Sequence, residues 1–378
     1  MVADWLATRR RIAAFRYKLL AWYGAHRRDL AWRHSRDPYH IWISEIMLQQ
    51  TRVKQVGEYF ARFLRAFPTV QALAGAGEDQ VLKVWEGLGY YARARNVHKA
   101  AKEIVALGGL LPDTYEGLLA LPGIGPYTAA AVSSIAFDRD HPVLDGNVER
   151  VLCRLLRFEE DPRRGAAKTA LIGAAERLLA PGRAGDFNQA MMELGARVCT
   201  PAKPHCGECP VREGCRALRE LEDPALLPRK TPRKPRPHYQ VAAGLIWKRG
   251  RLLIAQRPSE GLLGGLWEFP GGKQEEWETL AECLAREIRE ELAVEIEVGE
   301  CLARVEHGFT HFSITLHAFG ARWKSGEPQA IGCAAWRWAA PAELAQYAFS
   351  RADRRIIEEL GLGDLEYSPG RSNNGERA

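Results

Sequence analysis

Two prolines four residues apart constrain this chain most. They lie in Leu121-Pro122-Gly123-Ile124-Gly125-Pro126-Tyr127-Thr128-Ala129. Pro122 cannot sit comfortably inside a helix, because it lacks an N–H and its ring crowds the preceding turn. Pro126 suits the first position of a helix, where the missing N–H costs nothing. The stretch therefore reads as an apolar helix ending near Leu121, a tight turn, and a second helix running from Pro126 through Ala129, Ala130, Val132 and Ile135. In the turn, Gly123 and Gly125 are free to adopt positive φ and to let another backbone come close. Amides at the second helix's N-terminus make a seat for a phosphate. A plain αα-hairpin without a ligand fits the same residues. The balance moves because a carboxylate follows shortly, in Leu144-Asp145-Gly146-Asn147-Val148.

The chain has 378 residues, enough for two or three domains with full cores. Its net charge of +6 and pI of about 8.9 fit a polyanionic partner without demanding one. Met1 to Arg11 is charged and lacks an apolar signal segment, and no apolar run reaches membrane-spanning length. The expected location is the cytoplasm, with access to nucleoid DNA in a bacterium. Of eight cysteines, Cys199, Cys206, Cys209 and Cys215 cluster with the spacing C-x6-C-x2-C-x5-C. In a chain without export signals this reads as a metal site, and the four thiolates suit either Zn²⁺ or a [4Fe–4S] cluster.

Taken in order, Trp5 to Ala25 has helical periodicity, with Ile12, Phe15, Leu19, Trp22 and Tyr23 on one face. The segment Ile41 to Thr51 places Glu45 among apolar residues on a largely buried helix. A carboxyl there pairs with a cation or has its pKa raised, which suits a general acid. Gln49, Gln50 and Thr51 at that helix's end are able to probe base edges. Glu86-Gly87-Leu88-Gly89-Tyr90-Tyr91-Ala92-Arg93-Ala94-Arg95-Asn96 combines glycines, paired tyrosines and two arginines in a plausible DNA surface, with rings to wedge between bases and cations for phosphates. A core turn with solvated arginines fits it equally well. Leu226 to Pro237 is basic and proline-rich, an extended linker. Beyond it Tyr239–Trp247 and Leu252–Gln256 read as strands around a Lys248-Arg249-Gly250 turn. Further strands are expected near 295–298 and 312–319, and a helix between Thr279 and Leu292.

Several of these motifs occur together in one family. Trp-Ile-Ser-Glu-Ile-Met-Leu-Gln-Gln-Thr, Gly-Leu-Gly-Tyr-Tyr-Ala-Arg, Leu-Asp-Gly-Asn-Val, Phe-Asn-Gln-Ala-Met and the cysteine loop resemble the adenine DNA glycosylase (MutY) family. The resemblance implies a multidomain chain: an all-α helix-hairpin-helix glycosylase domain with a [4Fe–4S] loop, followed by an α+β Nudix-like domain. It places the first domain at 1–222 (31–143 a six-helix module, 1–30 with 144–222 an iron–sulfur module). A linker at 223–237, a lesion-recognition domain at 238–366 and a disordered tail at 367–378 complete the division.

The implied activity is hydrolytic removal of adenine, flipped from double-stranded DNA, opposite 8-oxoguanine or guanine, by a monomer. By the same resemblance Glu45 protonates the base and Asp145 supports or traps the sugar cation, with Tyr127 and Asn147 orienting Asp145. Trp32, Arg33 and Gln189 lie in the adenine pocket. Gln49, Gln50, Thr51, Leu88, Gly89, Tyr90, Arg93, Gly123 and Gly125 meet DNA, Tyr90 as a wedge. Phe309, Thr310 and His311 read the lesion, and Cys199, Cys206, Cys209 and Cys215 hold the [4Fe–4S] cluster.

The related lyases carry a Schiff-base Lys where this chain has Tyr127. A monofunctional enzyme is therefore expected over an endonuclease III-like lyase. A third possibility arises from Gly272-x5-Glu278-x7-Arg286-Glu287-Ile288-x-Glu290-Glu291, a nearly complete Nudix box with Ala293 in place of the usual Gly. It allows a bifunctional chain that also hydrolyses nucleotides. We expect the box's acids to be merely solvated.

Overall fold

The computed structural model describes residues 2–232 and 235–364, and the tail expected to be disordered lies outside the described residues. The chain forms two compact units, Met1–Ala74 with Lys99–Arg233, and Gly75–His98 with Lys234–Ala378.

The described part of the first unit is built of helices. Its entry is two helices rather than one, Val2–Ala7 and Arg9–His26, because Thr8 is extended at φ −96° and ψ 104°. The helix Pro38–Leu48 starts as its sequence dictates, with Asp37 accepting the Tyr39 amide at 2.8 Å and Pro38 in the first turn. It is buried nearly all round, from Tyr39 through Met47, and packs against the second helix of the proline hairpin, Pro126–Phe137. The small residues Ala129, Ala130 and Ala131 on that helix are buried. The hairpin's first helix, Tyr115–Leu119, ends two residues before the expected Leu121. Around these, Leu19 and Tyr23, Leu152 and Leu155, and Met191 and Leu194 share one core with the helices Gly146–Leu156 and Ala184–Arg197. Each such buried leucine contributes roughly 2 kcal/mol. The basic segment after Leu226 is fastened to this unit as far as it is described there. The Thr231 amide donates to Asp161 at 2.9 Å, and Arg229 and Lys230 pair with Glu159 and Glu149.

The second unit holds a seven-stranded mixed sheet: β1 (His238–Lys248), β2 (Arg251–Gln256), β3 (Trp267–Glu268), β4 (Gly271–Lys273), β5 (Glu295–Gly308), β6 (Ser313–Ser325) and β7 (Ala335–Ala339). The main order is β3-β2-β1-β6-β5, with β4 added to β1 and β7 to β2; β1 and β6 run parallel and the other pairings antiparallel. Arg249 and Gly250 both have left-handed φ, 50° and 75°, as a two-residue hairpin requires.

Alternation along β1 sends Ala242 and Ile246 to one face, against the helix Leu280–Leu292. It sends Ala243 and Leu245 to the other, with Ile356 of the helix Arg351–Glu359. β5 is far longer than the expected 295–298. Register shifts between Val298 and Ala303 interrupt its period of two and hide the continuation from a pattern search.

Candidate active site

An open cleft of about 1020 Å³ in the first unit collects most of the residues singled out in the sequence. Trp32, Arg33, Glu45, Gln49, Gln50, Thr51, Gly123, Gly125, Tyr127, Asp145, Asn147 and Gln189 all line it. Glu45 projects from the middle of the helix Pro38–Leu48 and is 5 % exposed. Burial pushes its carboxyl up to about 7. A bond from Tyr127 and the charge of Arg33 pull the other way, while Asp145 adds to the rise.

Tyr127 departs from expectation. Its hydroxyl donates to Glu45 Oε2 at 2.9 Å rather than to Asp145, and it lies 3.2 Å from Met192 Sδ. The reason is geometric: Tyr127 sits on the first turn of Pro126–Phe137, the helix packed on Pro38–Leu48. Burial, then the charges of Glu45 and Asp145, raise its phenol well above the ordinary 10.0.

Asp145 is the N-cap of Gly146–Leu156. Its Oδ1 accepts the amides of Asn147 (3.0 Å) and Val148 (2.7 Å), and its Oδ2 accepts Asn147 Nδ2 at 2.8 Å. Burial raises the Asp145 carboxyl, and these donors with Arg150 oppose that rise. Asn147 is itself held, because Arg150 Nη2 donates to its Oδ1 at 2.9 Å and to the Gly195 carbonyl at 2.7 Å. A Cβ on Gly195 would lie 2.6 Å from Asn147 Cβ, so glycine is required for the approach.

One feature of the wall escaped the sequence reading. Glu193 is fully buried and receives Arg28 through both carboxylate oxygens, at 2.7 and 2.8 Å, and Arg33 Nη2 at 2.8 Å. Burial pushes this carboxyl up, but the two guanidinium groups more than offset it and hold it at about 2. Arg33 is thereby fixed at the cleft wall and lies 5.5 Å over the Tyr23 ring. The signal was an acid in the apolar run Met191-Met192-Glu193-Leu194. Gln49 Nε2 donates to Thr128 Oγ1 at 2.9 Å, and Gln189 Nε2 to the Gly185 carbonyl at 3.3 Å. Gln50 is exposed in a left-handed conformation (φ 58°). In the hairpin Gly123 has φ 75°, and Gly125 is the N-cap of Pro126–Phe137.

The remaining candidates lie in the second unit. Tyr90 and Thr310 come together, their hydroxyls 3.2 Å apart. Thr310 sits with Phe309 and His311 in the loop between β5 and β6, where the Phe309 and Phe312 rings stack at 4.7 Å and His311 is exposed. The Leu88 side chain is buried, and Gly89 accepts from Trp85 Nε1 at 3.1 Å. Arg93, expected at a phosphate, turns onto its own loop and donates to the Gly89 carbonyl at 3.0 Å. Contrary to expectation, the acids of the Nudix box are not merely solvated: Arg286 pairs with Glu278 (2.7 Å) just before the helix Leu280–Leu292 and with Glu287 (2.9 Å) and Glu290 (3.1 Å) on it.

Cys199, Cys206, Cys209 and Cys215 are free and half-buried. Burial, then the neighbouring thiols, push Cys209 up to about 12. Arg154, itself buried, donates to Cys199 Sγ at 3.3 Å and to the Thr200 and Pro201 carbonyls. Among the described residues, no three His, Cys, Asp or Glu groups converge as ligands of one ion.

Two families match successive parts of the chain. The family of HhH-GPD superfamily base excision DNA repair proteins matches residues 43–174, and the NUDIX domain family matches 242–359. Human adenine DNA glycosylase is 36 % identical over 405 residues, covering 92 % of this chain and 74 % of that protein. The adenine DNA glycosylase of Schizosaccharomyces pombe is 33 % identical, covering 83 % of each. A thermostable thymine-DNA glycosylase structure superimposes with a TM-score of 0.52 at 29 % identity, covering 57 % of this chain and all of that one. With more than two thirds of the human and yeast enzymes matched above 30 % identity, the chain belongs to the adenine DNA glycosylase family.

Proposed function

We propose that this chain is the base-excision-repair enzyme its family membership indicates. It would flip adenine mispaired with 8-oxoguanine or guanine out of double-stranded DNA and hydrolyse its glycosidic bond. The observation that carries this is Glu45: an acid buried to 5 % exposure, pushed up to about 7, in the same cleft as Asp145.

Adenine leaves poorly until N7 is protonated, and a carboxyl still protonated near neutral pH is able to supply that proton. As the bond breaks, positive charge grows on the sugar. Asp145, with three donors favouring its ionised form, stabilises or traps that cation before water attacks. Asn147 positions Asp145, Tyr127 positions Glu45, and Trp32, Arg33 and Gln189 shape the pocket for the flipped base. A phenol cannot form a Schiff base, so Tyr127 leaves base release uncoupled from strand scission. Gln49, Gln50, Thr51, Gly123 and Gly125 are read as backbone and stack contacts. Tyr90, with Phe309, Thr310 and His311, is read as the recognition element for the opposite base.

The cysteine loop is read as the seat of a [4Fe–4S] cluster. The reading rests on the spacing of Cys199, Cys206, Cys209 and Cys215, whose four thiolates would supply a Cys₄ ligand set for an iron–sulfur cluster. These cysteines would hold the cluster and so cross-link a loop that Arg154 already ties through Cys199, Thr200 and Pro201. Arg286 on three carboxylates of the Nudix box favours a recognition domain over a hydrolase. A monomer acting in the cytoplasm with access to nucleoid DNA completes the reading.

The test uses duplexes carrying adenine opposite 8-oxoguanine, scored separately for base release and strand scission. Release with an intact strand is expected. Scission without added alkali would point to a lyase.

A further inference from the structure

Gly75–His98 is grouped with the sheet rather than with the neighbouring helices, and one carboxylate ties it there. Glu86 is the C-cap of the helix Glu78–Trp85 and lies shortly before Tyr90. Its Oε1 accepts from Arg354 Nε at 2.6 Å and from the Phe349 amide at 2.9 Å. Its Oε2 accepts from Lys83 Nζ at 2.6 Å and from Arg354 Nη2 at 3.2 Å. Arg354 also donates to the Tyr347 carbonyl at 2.8 Å, which Lys83 reaches at 3.0 Å. The two charged side chains are 17 % and 21 % exposed. A forked, charge-assisted contact in such a setting is strong and geometrically specific.

From Glu86 the hold passes to the turn. The Gly87 amide donates to the Tyr91 hydroxyl at 3.1 Å, and that hydroxyl lies 3.4 Å from the Phe349 carbonyl. Gly87, Gly89 and Tyr90 all have positive φ, 90°, 78° and 51°. For a tyrosine that conformation is strained, and it persists only where the surroundings over-determine it. The Tyr90 ring nevertheless stays 45 % exposed, its hydroxyl at Thr310.

We infer that Glu86 and Arg354 are positioning residues for discrimination of the base opposite adenine. Their ion pair locks the turn that carries Tyr90 to the sheet that carries Thr310, so the two side chains act as one rigid reader. The inference rests on the reading of Phe309, Thr310 and His311 as the contacts to that base. Neither Glu86 nor Arg354 lines the cleft of Glu45 and Asp145, so the pair bears on discrimination and not on the chemistry.

The experiment compares the full-length parent with Glu86→Gln, Arg354→Lys and the double variant. Glu86→Gln keeps an acceptor for the Phe349 amide, and Arg354→Lys keeps the charge, so each is mild enough to fold, which thermal melting verifies. Single-turnover adenine release is measured opposite 8-oxoguanine and opposite guanine. Each variant should lower the preference for 8-oxoguanine about tenfold and leave release opposite guanine within about twofold. The double variant should do no more than the stronger single, as expected for two residues in one contact. An unchanged preference in folded variants, or equal losses on both duplexes, overturns the inference. Thr310→Ala separates the underlying reading. If it leaves the preference intact, the reading of the loop fails. If it lowers the preference while Glu86→Gln does not, only the positioning role fails.

Discussion

Replacing Glu45 by Gln should inactivate the enzyme and stabilise it at the same time. The carboxyl is raised from an ordinary 4.5 to about 7 because ionising it where it sits is costly. For an acid with a raised folded-state pKa, the folded state holds the proton more tightly than the unfolded one. Stability is then lost as pH climbs from the unfolded value through the folded one, and the loss is complete above about 7. The gap between those two values corresponds to about 3 kcal/mol. Glutamine occupies the same volume, still accepts the Tyr127 hydroxyl and has no charge to bury, so it escapes this loss.

Urea unfolding of parent and variant at pH 4.5 and pH 8.5, followed in the transition of the helical unit, measures the difference directly. The variant's advantage should grow by about 3 kcal/mol between the two pH values, since every other group cancels in the comparison. Adenine release by the variant should fall by on the order of 10²–10⁴-fold, the usual contribution of a positioned acid. Release by the parent should decline above about pH 7 as the proton is lost. A stability difference flat with pH, or a parent more stable than the variant at pH 8.5, would falsify the claim that Glu45 is held as a buried acid.

Four further outcomes follow from the same geometry. Asp145→Asn should cut adenine release by roughly 10³-fold while tight binding to the mispaired duplex survives; release near the parent's rate would remove Asp145 from the mechanism. Tyr127→Phe removes a bond that lowers the Glu45 carboxyl, so the high-pH decline in rate should move upward; an unmoved or lowered profile contradicts this assignment. Protein prepared without oxygen should be yellow-brown with about four irons per chain, and Cys206→Ala should weaken folding and DNA binding before chemistry; stoichiometric zinc without iron overturns the cluster. Finally, the intact chain should show no Mg²⁺-dependent hydrolysis of 8-oxo-dGTP, because Arg286 already engages Glu278, Glu287 and Glu290. Hydrolysis that vanishes in Glu290→Gln would make the chain bifunctional.

The proline hairpin was legible because its signals are local: Pro122 and Pro126 act through their own rings, and the second helix begins at Pro126. The hairpin turn of β1 and β2 and the capped helix after Thr279 were legible for the same reason. What stayed hidden depends on partners far apart in sequence. Nothing near Tyr127 says that its hydroxyl meets Glu45, 82 positions away, because that contact follows from how two helices pack. Glu193 gathers Arg28 and Arg33 from more than 150 positions upstream. The grouping of Gly75–His98 with the sheet rests on contacts such as that of Glu86 with Arg354, which no local pattern announces.

Two carboxyl groups lining one cleft oppose each other's ionisation, and the backbone helps decide which of them keeps the proton. Glu45 lies deep in a helix, where each amide is already committed to a carbonyl one turn back. No main-chain donor is left to favour its anion, and the single phenol of Tyr127 opposes burial without cancelling it. Asp145 stands at a helix N-terminus, where the first amides have no partner inside the helix and point outward. It collects two of them and the Asn147 side chain, while the helix dipole adds a partial positive charge. A helix interior thus leaves burial of Glu45 little opposed, whereas a helix N-terminus sets donors against the rise at Asp145. Exchanging the two residue types would not exchange the roles, because the surroundings belong to the positions: a carboxyl at 145 would still meet three donors that oppose the rise burial imposes, and one at 45 would meet only the phenol of Tyr127.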